Sequence, residues 1–160
     1  MALEIERKWL VPEIPVFKEQ HFSSEIEQGY ILNGNGVCLR VRTALGYNTS
    51  GYVTVKGPNE LPNVVEEHEM AIPYETAREL LALSKVATIK KNRQYIRYGG
   101  LTIELDTFKG ALEGLIVAEV EFPVDRYPFN PPPWFVKDVR IQNETIDSVI
   151  ELDIKTKLNG

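Results

Sequence analysis

Glu4, Glu6 and Lys8 occupy every second position of the opening stretch Leu3–Leu10, with Ile5 between the two acids on the opposite phase. A period of two is that of a β-strand, so the three charges share one face, with same-face neighbours roughly 7 Å apart. Two carboxylates at that spacing suit a hard divalent cation, and an adjacent ammonium suits a phosphate that the cation holds. A half-exposed strand with a solvated face alternates in the same way, so this stretch alone leaves both readings open.

The pattern recurs. Acids fall in pairs at i and i+2: Glu67 with Glu69, Glu104 with Asp106, Glu119 with Glu121. Bases do likewise, Arg40 with Arg42 and Lys91 with Arg93, and Lys56 adds a further cation. The residues between them are mostly apolar, among them Ile5, Val41, Val55, Leu105 and Val120. A solvated face accounts for any one pair but poorly for sorting by sign, strand by strand. A charged barrel interior accounts for all of them. Buried ions must be paired or bound, and arginines, lysines and carboxylates on facing walls would receive a polyanion together with its metal.

The elements that must position these residues follow from period and turn chemistry. Gln28–Leu32 reads as a strand ended by the turn Asn33-Gly34-Asn35-Gly36, and Val37–Thr43 as the next strand. Tyr52–Lys56 follows, closed by Gly57-Pro58-Asn59, then Val64–Ile72. Ala77, Leu80 and Leu81 fall at helical spacing within Glu75–Val86. Lys91–Tyr98 and Leu101–Phe108 flank a two-residue turn, Gly99-Gly100. Lys109–Gly114 reads as a loop, Leu115–Phe122 as a strand, Pro128 to Pro133 as a stiff connector, and Glu144–Leu158 as a candidate helix. Residues 16–24 carry no clear pattern. Seven or eight antiparallel strands with one clear helix result. A sheet this large tends to close, with the helix and the C-terminal tail covering its apolar outside.

A chain of 160 residues fits one domain. Its net charge of −5 argues against broad nucleic-acid binding. The single cysteine, Cys38, excludes an intrachain disulfide and a cysteine-based zinc site. No apolar run approaches the roughly 20 residues of a membrane helix, and a charged opening strand is not a secretory signal, so a cytoplasmic protein is expected. There is no Walker-type glycine loop or histidine-rich metal motif.

Taken in order, the series resembles the CYTH superfamily, the triphosphate tunnel metalloenzymes. Glu4-x-Glu6-x-Lys8 matches that family's N-terminal signature. The likeness continues through Gln28-Gly29-Tyr30, Arg40-x-Arg42, Thr54-Val55-Lys56, Glu67-x-Glu69, Lys91-x-Arg93, Glu104-Leu105-Asp106-x-Phe108-x-Gly110, Leu115–Phe122 and Pro132-Pro133-Trp134-Phe135. The small bacterial members that hydrolyse inorganic tripolyphosphate are the most similar. The resemblance implies a mainly β chain, a closed eight-stranded antiparallel barrel with a few covering helices, forming one tunnel domain over residues 1–160. It implies Mg²⁺ or Mn²⁺ held by Glu4, Glu6, Asp106, Glu119 and Glu121. Lys8, Arg40, Arg42, Lys56, Lys91 and Arg93 would bind the phosphates, and Glu67, Glu69 and Glu104 would support them. Tyr30 would orient the Lys8 amine as a catalytic pair. The partner is then a small-molecule triphosphate, with no nucleic acid or membrane, in a monomer or an oligomer.

The chain departs from the pattern in places. The aromatic that usually follows Lys91-Asn92-Arg93 is displaced to Tyr95, and Val136–Arg140 replaces a Gly-x-Glu-Val-Thr segment. Other activities in the family stay open: class IV adenylyl cyclase, thiamine triphosphatase, nucleoside or RNA triphosphatase. So does a non-catalytic polyphosphate-binding module, against which the full acidic set weighs. His68, on the opposite phase from its glutamate neighbours, reads as an outer-face residue. Trp9 and Trp134 read as packing residues, and His21 has no evident partner.

Overall fold

The computed structural model describes residues 3–17, 21–61, 64–83 and 88–138. Alternating sequence becomes strand almost throughout: β1 (Leu3–Leu10), β2 (Phe22–Gly34), β3 (Val37–Gly46), β4 (Ser50–Leu61), β5 (Val64–Ile72), β6 (Ile89–Tyr98), β7 (Leu101–Phe108), β8 (Ile116–Glu121) and the two-residue β9 (Lys137–Asp138). A helix, α1 (Tyr74–Leu83), follows β5, and a 3₁₀ turn at Gly110–Leu112 occupies the loop before β8.

All pairings are antiparallel, in the order β5-β4-β3-β2-β6-β7-β8-β1. β1 closes the ring. Its first residues pair with β5, as Glu4 with Val65, and its later ones with β8, as Glu6 with Glu121 and Lys8 with Glu119. β9 adds beside the end of β1, Trp9 opposite Asp138. The result is the closed eight-stranded barrel expected of a sheet this large, and closure removes its free edges.

Two hairpins turn where glycine or asparagine allows. Gly99 and Gly100 have φ of 55° and 80°, and Asn35 and Gly36 have 54° and 77°. Positive φ at both central residues matches the twist of the flanking strands. Several boundaries differ from the sequence reading; β3 runs on to Gly46, β4 starts at Ser50 and β6 at Ile89. β2 starts at Phe22, six residues before the recognisable Gln28. β4 runs on through Pro58 to Leu61, because its register with β5 slips between Lys56 and Asn59 and a bulge tolerates the missing N–H. The helix begins at Tyr74, and residues 84–87, like the candidate helix Glu144–Leu158, lie outside the described residues.

The apolar phase faces outward and is covered twice. Val41, Leu39 and Val53 meet Ala77, Leu80 and Leu81 of α1. On the other side Trp9, Ile96, Ile103, Leu105, Ala118 and Val120 pack against Phe122, Tyr127, Phe129, Trp134 and Phe135 of the proline-rich segment. Trp9 lies 4.8 Å from Phe135 and 5.4 Å from Phe129, ring centre to ring centre. Trp9 and Trp134 are thus packing residues as read, and His68 sits outside, its Nε2 3.0 Å from Glu66.

Contact between α1 and β4 requires a glycine. A Cβ on Gly51 would lie 2.6 Å from the Ala77 Cβ and 3.0 Å from the Pro73 carbonyl oxygen. Gly51→Ala is therefore expected to lower unfolding free energy by roughly 1–3 kcal/mol in a denaturant titration. Gly34→Ala, where a Cβ meets nothing within 4 Å, should change little; equal effects at the two sites would contradict this packing.

Candidate functional site

Directly opposed residues of an antiparallel pair point to the same face. That rule carries the charged phase around the barrel. Lys8 faces Glu119, which faces Glu104, which faces Tyr95. Asp106 faces Arg93, and Arg93 faces Ser24. Gln28 faces Arg42, Tyr30 faces Arg40, and Arg40 faces Thr54. Thr54 and Lys56 face Glu69 and Glu67. Glu6 faces Glu121. Glu4, opposite Val65, lies on the same phase of β1 as Glu6 and Lys8. The sign-sorted residues therefore converge on one interior face.

Burial excludes a solvated outer face. Lys91 is 1% exposed and Asp106 2%. Glu6, Lys8, Tyr30, Arg40, Lys56 and Arg93 are buried too. Glu67 and Arg42 are partly open to water, and Glu69 and Glu121 are exposed. Ile89, Phe108 and Val117 share the charged phase and pack together with Leu10, Leu112 and Leu115. They fill one end of the interior on its β6–β7–β8–β1 side, so the cavity there is stopped by hydrocarbon.

The charges are wired unevenly. Arg93 grips Asp106 with both prongs, Nε to Oδ1 at 2.7 Å and Nη2 to Oδ2 at 2.9 Å. Its Nη1 reaches Glu104 at 2.9 Å. Lys91 Nζ lies 2.8 Å from Asp106 Oδ2. Burial would raise the Asp106 pKa, but the charges of Arg93 and Lys91 and the hydrogen bonds they donate hold it below the usual range. Arg93 is pushed well above its ordinary value by Asp106 and Glu104 against the opposing effect of burial. This part of the network is satisfied.

Two other parts hold like charges close together. Lys8 Nζ lies 3.5 Å from Glu6 and 3.9 Å from Glu119, and Lys56 Nζ 3.9 Å from Glu6. Arg93 Nη2 also lies 4.0 Å from Glu119. Burial first, then the charge of Glu6 and a hydrogen bond with it, push Glu119 up to about 7. Glu104 is also raised, by burial and then by Glu119 and Asp106, with Arg93 opposing. On the other wall the guanidinium of Arg42 is lowered by burial and by the neighbouring charges of Arg40 and Arg93, with Glu69, at 3.7 Å, opposing. One region thus sets acid beside acid; the other sets guanidinium beside guanidinium.

Acids fit a hard cation by donor chemistry, and the Glu6 Oε2, buried without a hydrogen bond, is such a donor. Among the described residues no three acidic, histidine or cysteine groups close into a metal cage; the Glu4 side chain lies outside them. Two uncharged residues escaped the sequence reading of the site. Gln28 is fully buried on the interior face, and neither its amide oxygen nor its amide nitrogen has a hydrogen-bond partner. Thr54, also fully buried, donates from Oγ1 to Glu69 at 3.1 Å. The available signal was phase: Thr54 is in step with Lys56 on β4, and Gln28 with Tyr30 on β2.

Comparison with known proteins gives a consistent result. An inorganic triphosphatase of Acetivibrio thermocellus is 35% identical over 140 residues, covering 87% of this chain and 86% of that one. An inorganic triphosphatase of Nitrosomonas europaea is 30% identical over 155 residues, covering 94% and 98%. The crystal structure of an inorganic triphosphatase superposes with a TM-score of 0.64 at 29% identity, over 95% of this chain and 96% of the other. The profile of the CYTH domain matches residues 2–153. A closed antiparallel barrel whose walls carry the signature charges inward, matched along nearly its whole length, places this chain in the CYTH domain family.

Proposed function

We propose that this chain hydrolyses a triphosphate, inorganic tripolyphosphate foremost, inside the barrel and with Mg²⁺ or Mn²⁺. The supporting observation is the pair of opposed fields in one cavity, the acids Glu6 and Glu119 side by side and the guanidinium of Arg42 beside the charges of Arg40 and Arg93. A polyanion carrying its own divalent cation would relieve both. The two similar inorganic triphosphatases support the choice of substrate.

Glu6 and Glu119 would hold the cation, with Glu4 and Glu121 on the same wall. Asp106 is first the anchor of Lys91 and Arg93, although a carboxylate has lone pairs left for a metal as well. When bound, the cation would neutralise phosphate charge and lower the pKa of an attacking water. Arg40, Arg42, Lys56, Lys91 and Arg93 would grip phosphate oxygens and stabilise the charge that develops as water attacks phosphorus and the P–O–P bond breaks. Glu104 fixes Arg93 from one side, and Glu67 and Glu69 face Lys56 and Thr54 from β5. The Gln28 amide nitrogen is a further donor to a phosphate oxygen. We assign Lys8 and Tyr30 the catalytic pairing of the resemblance, the hydroxyl orienting the amine. The hydrocarbon stop keeps bulk water from that end. We read residues 1–160 as one domain. Cys38, buried and free of any disulfide, suits the reducing cytoplasm, and among the described residues no helix is long and apolar enough to cross a membrane.

Phosphate release from tripolyphosphate tests the reading. With Mg²⁺ or Mn²⁺ the chain should turn over, and EDTA should abolish release; equal release in both refutes metal dependence. Glu6→Gln and Arg42→Ala should each lower kcat/KM by about a hundredfold or more, and unchanged turnover in both removes the site assignment. Tight tripolyphosphate binding with no turnover in the native chain would favour the binding-module alternative.

Glu119 gives a test of stability. Its raised pKa means that the folded state holds a proton the unfolded chain releases at an ordinary 4.5. The stability present below pH 4.5 is lost as pH rises toward about 7. Above that, the metal-free Glu119→Gln variant should be more stable than the native chain, on the order of 1–3 kcal/mol. The gain should disappear below pH 4.5. Added Mg²⁺ should stabilise the native chain more than the variant. A variant less stable than the native chain at pH 8 without metal contradicts the repelling acid pair.

A further inference from the structure

We propose that Gln28 positions the water that attacks the terminal phosphorus. Its amide oxygen accepts a hydrogen bond from that water while its amide N–H donates to an oxygen of the phosphoryl group being transferred. This deepens the reading above and rests on it, since the triphosphate must lie among the interior cations.

Gln28 stands on the interior phase of β2, one same-face step before Tyr30. It faces Arg42 of β3 on one side and Ile89 of β6 on the other. Arg42 belongs to the cationic wall, and Ile89 to the hydrocarbon that stops one end of the cavity. The residue thus sits where the charged cavity meets its apolar stop. Its side chain is fully buried, and no described residue meets its amide oxygen or its amide nitrogen. An orphaned amide in such surroundings costs the fold stability, and an apolar side chain would fill the same space without that cost.

What can satisfy the amide follows from the donors and acceptors around it. The ammonium and guanidinium groups of the cavity only donate, and its ionised carboxylates only accept. The nearby cations are turned elsewhere. Arg42 lies 3.7 Å from Glu69 and over the Tyr52 ring at 5.3 Å, and Lys91, one step beyond Ile89 on β6, lies 2.8 Å from Asp106. A phosphate oxygen accepts, and so occupies the amide N–H alone. The amide oxygen still needs an O–H, and water is the reactant that brings one. A carboxylate in this place would repel the phosphate, and an ammonium could not accept. In phosphoryl transfer a neutral amide can orient an attacking water without taking its proton.

In the step, the water oxygen bonds to the terminal phosphorus, the bond from that phosphorus to the bridging oxygen breaks, and its electron pair leaves with pyrophosphate. One water proton stays on the new orthophosphate as its hydroxyl, held by the Gln28 oxygen; the other ends on pyrophosphate. Gln28 itself neither gains nor loses a proton.

Gln28→Met keeps the length and bulk of the side chain and removes both polar atoms. With tripolyphosphate and Mg²⁺ its kcat should fall by about tenfold to a hundredfold, while KM stays within about fivefold because the cations carry the binding. Calorimetric affinity for the diimido analogue of tripolyphosphate, in which NH replaces the bridging oxygens, should also stay within about fivefold. The ligand-free melting temperature should equal or exceed that of the native chain, since hydrocarbon has replaced an orphaned amide. A glutamine with a purely structural role would give the opposite pattern, a lower melting temperature with kcat kept. Native kcat in the variant, or a raised KM with kcat unchanged, would overturn the proposal. So would a clearly lower melting temperature, which would mean that the amide is bonded within the fold. A native chain that releases no phosphate ends the proposed reaction and this role with it; a native chain that turns over beside an equally active variant ends this role alone.

Discussion

Ion pairing in a place without water is the constraint on which the molecule depends. Taking an ion out of water costs several kcal/mol unless a partner meets it. Asp106 is met by Arg93 through two bonds and by Lys91 through a third, all under 3 Å. These contacts hold only in one register, with Arg93 opposite Asp106 across β6 and β7. A slip of one residue would turn the whole charged phase outward and the apolar phase inward. The same attraction that tolerates buried charge thus fixes strand alignment around half of the barrel.

Giving the interior to charge has a second consequence. A barrel of this size ordinarily fills its inside with apolar side chains. Here the hydrocarbon is moved outside, and the fold needs cover that the sheet cannot supply. α1 covers the β3–β4 wall and Phe122 to Phe135 cover the β6–β7–β8–β1 wall. The prolines matter because a segment without regular hydrogen bonds must hold its aromatics against a curved surface, and a restricted φ reduces the freedom lost in doing so. The cover and the charged cavity are two sides of the same strands.

This arrangement explains what could be read from the chain alone. Charged residues at i and i+2 announce their phase, and sorting by sign announces a shared cavity, so Arg40, Arg42, Lys91, Arg93, Glu104, Asp106 and Glu119 could be assigned a common face without coordinates. Uncharged members of that face left no comparable mark: Gln28 and Thr54 look like ordinary strand residues until their burial is known. Ser23, Glu25 and Glu27 face outward between Ser24 and Ile26 on β2, and this weak contrast hid the first six residues of the strand. Pro58 reads as a stop in any local rule, because only the partner strand shows that the ladder has slipped there. The two residues of β9 pair with β1 from far along the chain, a contact with no local signature.

The cavity is not uniformly satisfied, and the division carries the chemistry. Around Asp106 every close opposite charge has found its partner, and the side chains there are among the least exposed in the molecule. At Glu6 and Glu119 the nearest ammonium contacts are 3.5–3.9 Å, and the Glu119 carboxyl holds its proton to about pH 7. At Arg42 burial first, and then the charges of Arg40 and Arg93, outweigh the nearest carboxylate. A protein selected only for stability would pair these groups with one another or replace them with hydrocarbon, since a buried ion pair is often no better than a well-packed apolar one. Retaining like charges side by side costs the fold stability, and under the proposed function a ligand that brings both signs would recover it. The short ion pairs around Asp106 frame that arrangement.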